Sequence, residues 1–296
     1  MKTKKKMIPE NHQNQDQVPD QGQGVAVVYK GLVLFACLLF LGGSNRLFSQ
    51  EIQLAFNPGE TVTYGAYYNW HFIWINAGEV VFTADTITND RRKDWHLKAR
   101  GKTFKAYDWL YTVRDTFESH LTYSDFYPQN FRRVINHSKK HSSHQYSFDE
   151  ENELIYSAIK PREEPFFQDT LQYEKGTFDL LSSAYFFRSF QFSEMKKGQH
   201  IKFKILVDNK LEELFFTYLG KQEVKTREKE RFRCHKISVS LLEGDFFPKG
   251  EHMKIWFTDD KNIMPVIVEA EITVGSVKAV LTGYEKLKYP LTSKIK

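Results

Sequence analysis

The chain has 296 residues, of which 15% are aromatic and 27% are charged, and its formal net charge is +5. With only two cysteines, Cys37 and Cys234, it cannot be a small scaffold held together by several disulfides. Its stability must come from a hydrophobic core, and the chain is long enough to build a large one.

The first 50 residues have the layout of a secretory signal. The uncharged apolar run Gly31–Gly43 (GLVLFACLLFLGG) follows Lys30 and precedes a short polar stretch. It is shorter than the roughly 20 apolar residues of a spanning helix, which favours a signal cleaved near Ser49 or Gln50. The polar lead before Lys30 is long, so an uncleaved anchor is the alternative. We predict residues 1–50 as a signal peptide or signal anchor, and a protein exported to the periplasm or cell envelope.

Part of the positive charge belongs to this leader. Six of the 42 Lys and Arg residues and three of the 37 Asp and Glu residues lie in residues 1–50. The rest of the chain therefore carries 36 basic and 34 acidic residues, a net charge of +2. Because nucleic-acid binding usually shows as a strongly basic domain or patch, we predict no nucleic-acid partner.

Residues 51–296 are predicted to form a β-rich domain. Runs rich in Val, Ile, Phe, Tyr, Thr and Trp alternate with Gly, Pro, Asn and Asp, as in antiparallel strands joined by turns. The predicted strands are Thr61–Tyr68, Glu79–Thr88, Trp95–Lys102, Phe131–His137, His144–Asp149, Leu154–Ala158, Gln199–Val207, Glu212–Leu219, Arg231–Leu241, His252–Thr258, Met264–Thr273 and Ser276–Tyr284. The predicted fold class is all-β and mainly antiparallel, a curved open or partly closed barrel-like sheet with one or two short helices.

Two segments have the apolar spacing of a helix. In TFDLLSSAYFFRSFQF a short helix is predicted around Leu180–Phe190, with Thr177 as its N-cap and Asp179 in its first turn. A weaker repeat covers Thr103–Tyr111.

A proline-rich segment interrupts the strand pattern. Pro161–Pro165 (PREEP) cannot lie in a central strand, because proline has no backbone donor. The domain is therefore either continuous or divided into two lobes that meet near residues 160–176.

Four parts of the sequence share their features with one bacterial family. They are Phe56–Tyr64 (FNPGETVTY) with the later Ala77-Gly78, Phe178–Arg188 (FDLLSSAYFFR), Ile255–Pro265 (IWFTDDKNIMP) and Glu269–Val280 (EAEITVGSVKAV). Together they resemble the family called domain of unknown function 3108, over most of the predicted domain. The resemblance implies an exported β protein of Gram-negative bacteria, similar in outline to the curved sheets of periplasmic lipid-handling proteins. It implies no catalytic residues.

These motifs also have structural explanations. Pro58-Gly59 is predicted to form a turn before a strand, and Ala77-Gly78 to let another backbone pass closely. Pro265 is expected at the first position of a strand, where no ladder donor is lost. Arg188 is expected to pair with a carboxylate.

His137, His141 and His144 (HSKKHSSH) are the densest set of metal-ligating side chains in the sequence. On a helix the first two would share a face, and imidazole suits zinc or copper. The local pattern favours strand and loop, and no cysteine or carboxylate lies at ligand spacing. A metal site and a solvated polar loop are the alternatives, and no cofactor is predicted.

Aromatic residues crowd the first predicted hairpin. Trp70, Phe72 and Trp74 alternate, so that in a strand they share one face. A concave sheet lined by these rings would hold an acyl chain or another apolar, lipid-like ligand. The alternative is that the rings fill the core, as aromatic residues do in β domains without disulfides.

No motif in the sequence indicates an enzyme. It has no G-x-S-x-G and no glycine-rich phosphate loop. Cys234 and His235 are predicted on opposite sides of a strand, with Cys234 in the core, and Asp259-Asp260 in a turn. We predict a non-catalytic envelope protein that binds an apolar ligand. The alternatives are a structural partner in an envelope complex, using an exposed strand edge, and a hydrolase with dispersed active-site residues.

Overall fold

The computed structural model describes residues 53–70, 73–89, 92–109, 112–138, 141–163, 165–240, 252–271 and 275–296. The predicted signal peptide or signal anchor, residues 1–50, lies outside these ranges. Within them, no helix has both the length and the apolar character needed to cross a membrane.

Strands dominate these ranges. The sixteen strands found there are β1 (Glu60–Trp70), β2 (Ile73–Asn89), β3 (Arg92–Thr103), β4 (Arg114–Thr122), β5 (Pro128–Asn136), β6 (His141–Asp149), β7 (Leu154–Pro161), β8 (Phe167–Gln172), β9 (Thr177–Asp179), β10 (His200–Val207), β11 (Lys210–Lys225), β12 (Arg231–Ser240), β13 (His252–Thr258), β14 (Pro265–Glu271), β15 (Ser276–Glu285) and β16 (Lys294–Ile295). Each predicted strand overlaps one of them.

All these strands belong to one sheet. Its order is β8-β7-β6-β5-β4-β3-β2-β1-β15-β14-β13-β12-β11-β10-β9, and β16 pairs with β12. Neighbours are antiparallel except β9 and β10, which are parallel. The sheet is not closed, because β8 and β9 lie at opposite ends of this order. The predicted fold class, an all-β and mainly antiparallel barrel-like sheet, is confirmed.

The chain passes from one end of this order to the other between β8 and β9, inside the predicted boundary at residues 160–176. The two halves of the sheet are continuous, because β1 pairs with β15 along most of its length. A division into two lobes stays a prediction.

A short helix, α1 (Leu180–Phe186), covers one face of the sheet, which we call the inner face. Leu181 and Ala184 of α1 belong to the same buried cluster as Leu97 of β3 and Phe117 of β4. The helix predicted around Leu180–Phe190 is therefore confirmed over Leu180–Phe186, and a 3-10 turn, Phe187–Ser189, follows it.

The N-cap of α1 is Asp179 and not the predicted Thr177. The Asp179 carboxylate accepts hydrogen bonds from the backbone N–H groups of Leu181 and Ser182, at 2.8 and 2.9 Å. Thr177 cannot take this role, because it lies in β9 and pairs with Lys204 of β10. The chain thus enters the helix directly from a strand.

Strands β4 and β8 are absent from the predicted set. The inner face of β4 carries Asp115 and Ser119 beside Phe117, which weakens its apolar alternation. Almost every side chain of β8 is exposed, so this strand has no apolar face to recognise. The weak helical repeat over Thr103–Tyr111 corresponds to one 3-10 turn, Lys105–Tyr107.

The turn between β10 and β11 bridges the two ends of the sheet. Arg133 of β5 donates to the carboxylate of Asp208. The backbone N–H of Asn209 donates to the hydroxyl of Tyr146 at 3.0 Å, and its amide donates to Asp169 at 2.8 Å. The barrel-like outline is therefore completed by side-chain and backbone contacts of a turn and not by strand pairing.

Three of the motif expectations concern backbone geometry, and all three are confirmed. Pro58-Gly59 forms a turn immediately before β1. Pro265 is the first residue of β14. At Gly78 a β-carbon would lie only 2.2 Å from the carbonyl oxygen of Lys102 on the neighbouring strand. Only glycine permits this approach without a backbone shift.

Candidate functional site

The side chains of Arg188 and Glu60 form a buried ion pair. Only 4% of Arg188 and none of the Glu60 side chain is exposed. Arg188 Nη1 donates to Glu60 Oε1, and Nη2 donates to Oε2 over 3.0 Å. The predicted pairing of Arg188 with a carboxylate is confirmed. A bidentate contact of this kind offsets part of the large cost of burying two charges.

Backbone carbonyls accept further hydrogen bonds from the same guanidinium. Nε of Arg188 donates to the carbonyl of Asn262 at 3.1 Å, and Nη2 donates to that of Ala55 at 3.3 Å. Burial alone would lower the pKa of Arg188, but the neighbouring Glu60 carboxylate raises it above its ordinary value. The charged guanidinium thus holds together the turn after α1, the start of β1 and the loop before β14.

Aromatic rings surround the pair. The ring centres of Phe56 and Tyr185 lie 5.3 and 5.9 Å from the guanidinium carbon of Arg188. The hydroxyl of Tyr64 donates to the carbonyl of Pro265 at 3.0 Å. Burial raises the pKa of both Tyr64 and Tyr185 above the ordinary tyrosine value. Both phenols are therefore neutral at physiological pH and are poor general bases.

An apolar pocket lies beside Arg188, between α1 and strands β1, β2, β14 and β15. Its volume is about 50 Å³. The lining residues are Val62, Tyr64, Val80, Phe82, Ala184, Tyr185, Arg188, Pro265, Val268 and Ala279. Sites for drug-sized ligands usually have roughly 300–1,000 Å³. This pocket has room for a short apolar group but not for an entire acyl chain.

The aromatic residues predicted to line a ligand site are not among the described residues that line this pocket. Phe72 and the side chain of Trp70 lie outside what the structure describes, and the pocket's lining does not include Trp74. The ring of Trp74 is partly buried, with Lys278 Nζ 4.5 Å and the guanidinium carbon of Arg227 5.9 Å from its centre. Cations above the ring stabilise it electrostatically. A ligand-lining role for Trp70, Phe72 and Trp74 stays a prediction.

The structure does not gather the three candidate histidines into one site. His137 and His144 are buried, whereas strand alternation places His141 on the other face. His137 Nε2 lies 3.3 Å from Asp115, and the His144 ring lies 3.3 Å from Arg133. A solvated loop is therefore wrong for His137 and His144. In the described ranges, no group of three or more His, Cys, Asp or Glu residues is placed to hold a metal.

A network of polar contacts joins β11, β12 and the turn after β13, and the sequence patterns did not predict it. The Tyr218 hydroxyl lies 2.8 Å from Nδ1 of His235, and Asp259 lies 2.8 Å from its Nε2. Lys221 contacts the same Asp259 carboxylate at 2.8 Å. Burial lowers the pKa of His235, which favours its neutral form. The partners are divided among β11, β12 and the turn after β13, so no local spacing in the sequence reveals the network.

The predicted placement of Cys234 and Asp260 is correct. Cys234 is fully buried in a second apolar cluster, on the other side of β12 from His235. Asp260 accepts hydrogen bonds from the hydroxyl of Thr258 and the backbone N–H groups of Asn262 and Ser293, at 3.0 Å each. Its carboxylate therefore holds the turn before β14.

The comparison with protein families decides where the chain belongs. The family described as protein of unknown function (DUF3108) matches residues 61–282. The chain belongs to this family. No curated protein matches it.

Two solved structures are similar to the DUF3108 chain. One is the beta-barrel-like protein of domain of unknown function DUF1849 from Brucella abortus, with 7% identity, a TM-score of 0.49 and coverage of 78% of this chain and 99% of that one. The other is a candidate lipoprotein from Parabacteroides distasonis, with 10% identity, a TM-score of 0.27 and coverage of 80% and 100%.

The four DUF3108-like segments meet at the Arg188 pocket. The first supplies Glu60, the second supplies Arg188, the third supplies the carbonyl of Asn262, and the fourth supplies Ala279. Segments that are far apart in the sequence thus build one buried site. We take this pocket as the candidate functional site.

Proposed function

We propose that this DUF3108 protein is exported to the cell envelope and works there as a non-catalytic binding protein. Its ligand would place a short apolar group in the Arg188 pocket, between α1 and the inner face of the sheet. The signal-like residues 1–50 are the basis for export, and the pocket is the basis for binding.

The binding proposal rests on one observation. The pocket has an apolar lining, and its wall includes the buried charge of Arg188. Val62, Val80 and Val268 line the pocket. Water binds weakly in such a space, because the lining offers few hydrogen-bond partners. Arg188 is already neutralised by Glu60, so the pocket attracts no ion. A short alkyl or branched apolar group, including the end of a lipid-like molecule, fits this chemistry.

Native mass spectrometry of the mature protein, purified from its own envelope, tests this proposal. We expect a co-purifying small molecule with an apolar end. As a matched pair, Ala184→Leu would fill the pocket, whereas Ala106→Leu adds the same atoms to an exposed position. The first variant should lose the bound molecule and the second should keep it. A wild-type protein without a bound molecule, or equal binding by both variants, would contradict the proposal.

Export has its own test. Fusing residues 1–50 to a reporter that is active only outside the cytoplasm should give an active reporter, and the mature N-terminus should follow Ser49 or Gln50. An intact N-terminus on an exported reporter would indicate the anchor instead. An inactive reporter would refute export.

A second candidate function is structural, with an envelope protein as the partner. It rests on β8, an edge strand whose side chains are largely exposed. Phe167 at its start is 47% exposed, and Phe166 just before it is 57% exposed. Edge strands can pair with a strand of another chain. Native mass spectrometry distinguishes the two candidates, because a protein partner adds the mass of a chain.

A further inference from the structure

A polar groove crosses the outer face of the sheet, opposite the face covered by α1. It extends over strands β4 to β8 and has a volume of about 380 Å³. This is close to the lower end of the usual range for small-molecule sites, roughly 300–1,000 Å³. It is separate from the Arg188 pocket, with which it shares no lining residue.

Two rows of side chains run across the strands here, and most of their members line the groove. Strand register places Lys98, Glu118, Arg132, Gln145, Ala158 and Gln168 in one row. The next row contains His96, His120, Asn130, Ser147, Tyr156 and Thr170. Ala158 is the one short apolar side chain of the first row, and it leaves space between Gln145 and Gln168.

Of the three charged side chains in the first row, two form an ion pair with each other. Glu118 forms its ion pair with Lys98, on the far side from Arg132. Burial tends to raise the pKa of Glu118, but the Lys98 ammonium outweighs this effect and keeps the pKa below its ordinary value. Arg132 lies opposite Glu118 in the register and also helps to lower the pKa of that carboxyl, but its guanidinium forms no ion pair or side-chain hydrogen bond among the residues that the structure describes. Its five N–H donors therefore remain available to a ligand.

At its β4 end the groove is recessed, although it lies on the outer face. The Lys98 and Glu118 side chains are only 24% and 20% exposed, which is low for a charged pair outside the core. The rings of His96 and His120 stack at 4.6 Å beside them. Burial and the neighbouring His120 lower the pKa of His96, which keeps that ring neutral. The shielding is confined to this end, because Arg132, Gln145 and Gln168 are exposed.

The available groups select a class of ligand. Amides such as Gln145 and Gln168 both donate and accept hydrogen bonds, as the hydroxyl groups of a sugar require. Tyr156 is 46% exposed and offers an apolar ring face with a polar tip. Arg132 matches a carboxylate, which it can bind through two parallel hydrogen bonds. We infer that this groove binds an acidic saccharide, with Arg132 on its carboxylate and Tyr156 against a sugar ring.

Isothermal titration of the full chain with trigalacturonate, and with neutral maltotriose of the same length, tests this inference. Trigalacturonate should bind at one site and maltotriose at least about tenfold more weakly, since hydrogen bonds to a charged group are stronger than those between neutral groups. Arg132→Gln should weaken trigalacturonate binding by a similar factor. Arg100→Gln, at an exposed position of the same face outside the groove, should leave it unchanged.

A second variant keeps the test decisive. Ala158→Tyr fills the gap between Gln145 and Gln168 from the outer face without entering the core, so it should fold and lose binding. Lack of trigalacturonate binding by the folded wild type would overturn the inference, as would full binding by Arg132→Gln or Ala158→Tyr. Displacement of trigalacturonate by an equal concentration of inorganic phosphate would reduce the groove to an anion site and also overturn it.

Discussion

Arg188 and Glu60 form a bidentate ion pair in the core although 128 residues separate them in the sequence. The pair joins the turn after α1 to the first residue of β1, at the side of the apolar pocket. Each charge is buried only because the other is present. The fold and the candidate site therefore depend on the same contact.

Glu60→Gln is expected to lower the free energy of unfolding by about 3–5 kcal/mol, because it leaves the Arg188 charge buried without a counter-charge. Urea denaturation measures this loss. Glu213→Gln is the matched control, since Glu213 and Lys202 are 43% and 56% exposed and such pairs contribute about 0–1 kcal/mol. Equal losses in both variants would show that the buried pair has no special role.

Asp179→Asn is expected to change how stability depends on pH. Burial raises the pKa of Asp179, so the folded protein retains this proton at pH values where the unfolded chain has released it. The resulting stabilisation is complete below the unfolded pKa, about 3.9, and is lost as the pH rises through the folded value. The amide oxygen of Asn can still cap α1. The stability of the variant relative to wild type should therefore increase with pH above about pH 4.

Asp149→Asn provides the control for that experiment, with the opposite sign. Hydrogen bonds from Asn152 hold the pKa of Asp149 below its ordinary value. The Asp149 carboxylate therefore stabilises the fold above the unfolded pKa, and this stabilisation is lost as the pH falls. The Asp149→Asn variant lacks it, so its stability relative to wild type should decrease as the pH rises. Thermal melts at several pH values measure both differences. A flat difference for Asp179→Asn would show that its carboxyl titrates normally.

Gly78→Ala is expected to destabilise the β2–β3 pairing. The new β-carbon would lie 2.2 Å from the Lys102 carbonyl oxygen, so the backbone must shift, at a cost of about 1–3 kcal/mol. At Gly101, on the neighbouring strand, the nearest atom to such a carbon is 3.9 Å away. Gly101→Ala should be tolerated. Denaturation midpoints that fall equally would exclude the close approach at Gly78.

His235 is expected to carry its proton on Nε2. The Asp259 carboxylate beside this nitrogen can only accept, whereas the Tyr218 hydroxyl can donate to Nδ1. Nitrogen chemical shifts of the ring report the tautomer, and a pH titration should give a pKa below the ordinary histidine value. Tyr218→Phe should alter the shift of Nδ1 more than that of Nε2. A proton found on Nδ1 in the wild type would contradict this arrangement.

Local features of the fold follow from the sequence alone. Alternation of apolar and polar residues identified strands such as β1 and β13, because side chains in a strand point to alternate faces regardless of the partner strand. Pro265 at a strand start and the close approach at Gly78 follow from the chemistry of single residues. The helix after Asp179 showed the apolar spacing that buries one of its faces.

Which distant residues meet depends on the tertiary structure. Ser119 of β4 has a partner in Asp179, a polar pair inside the core that concealed the strand from its own pattern. The sequence indicated that Arg188 needs a carboxylate, but only the sheet order brings Glu60 to it. The aromatic residues near Trp74 pointed to the first hairpin, whereas the pocket is assembled from one or two residues on each of six elements: β1, β2, α1, the 3-10 turn after it, β14 and β15. Periodicity is a property of neighbours in the chain, while strand pairing over more than a hundred residues is set by the packing of the whole sheet.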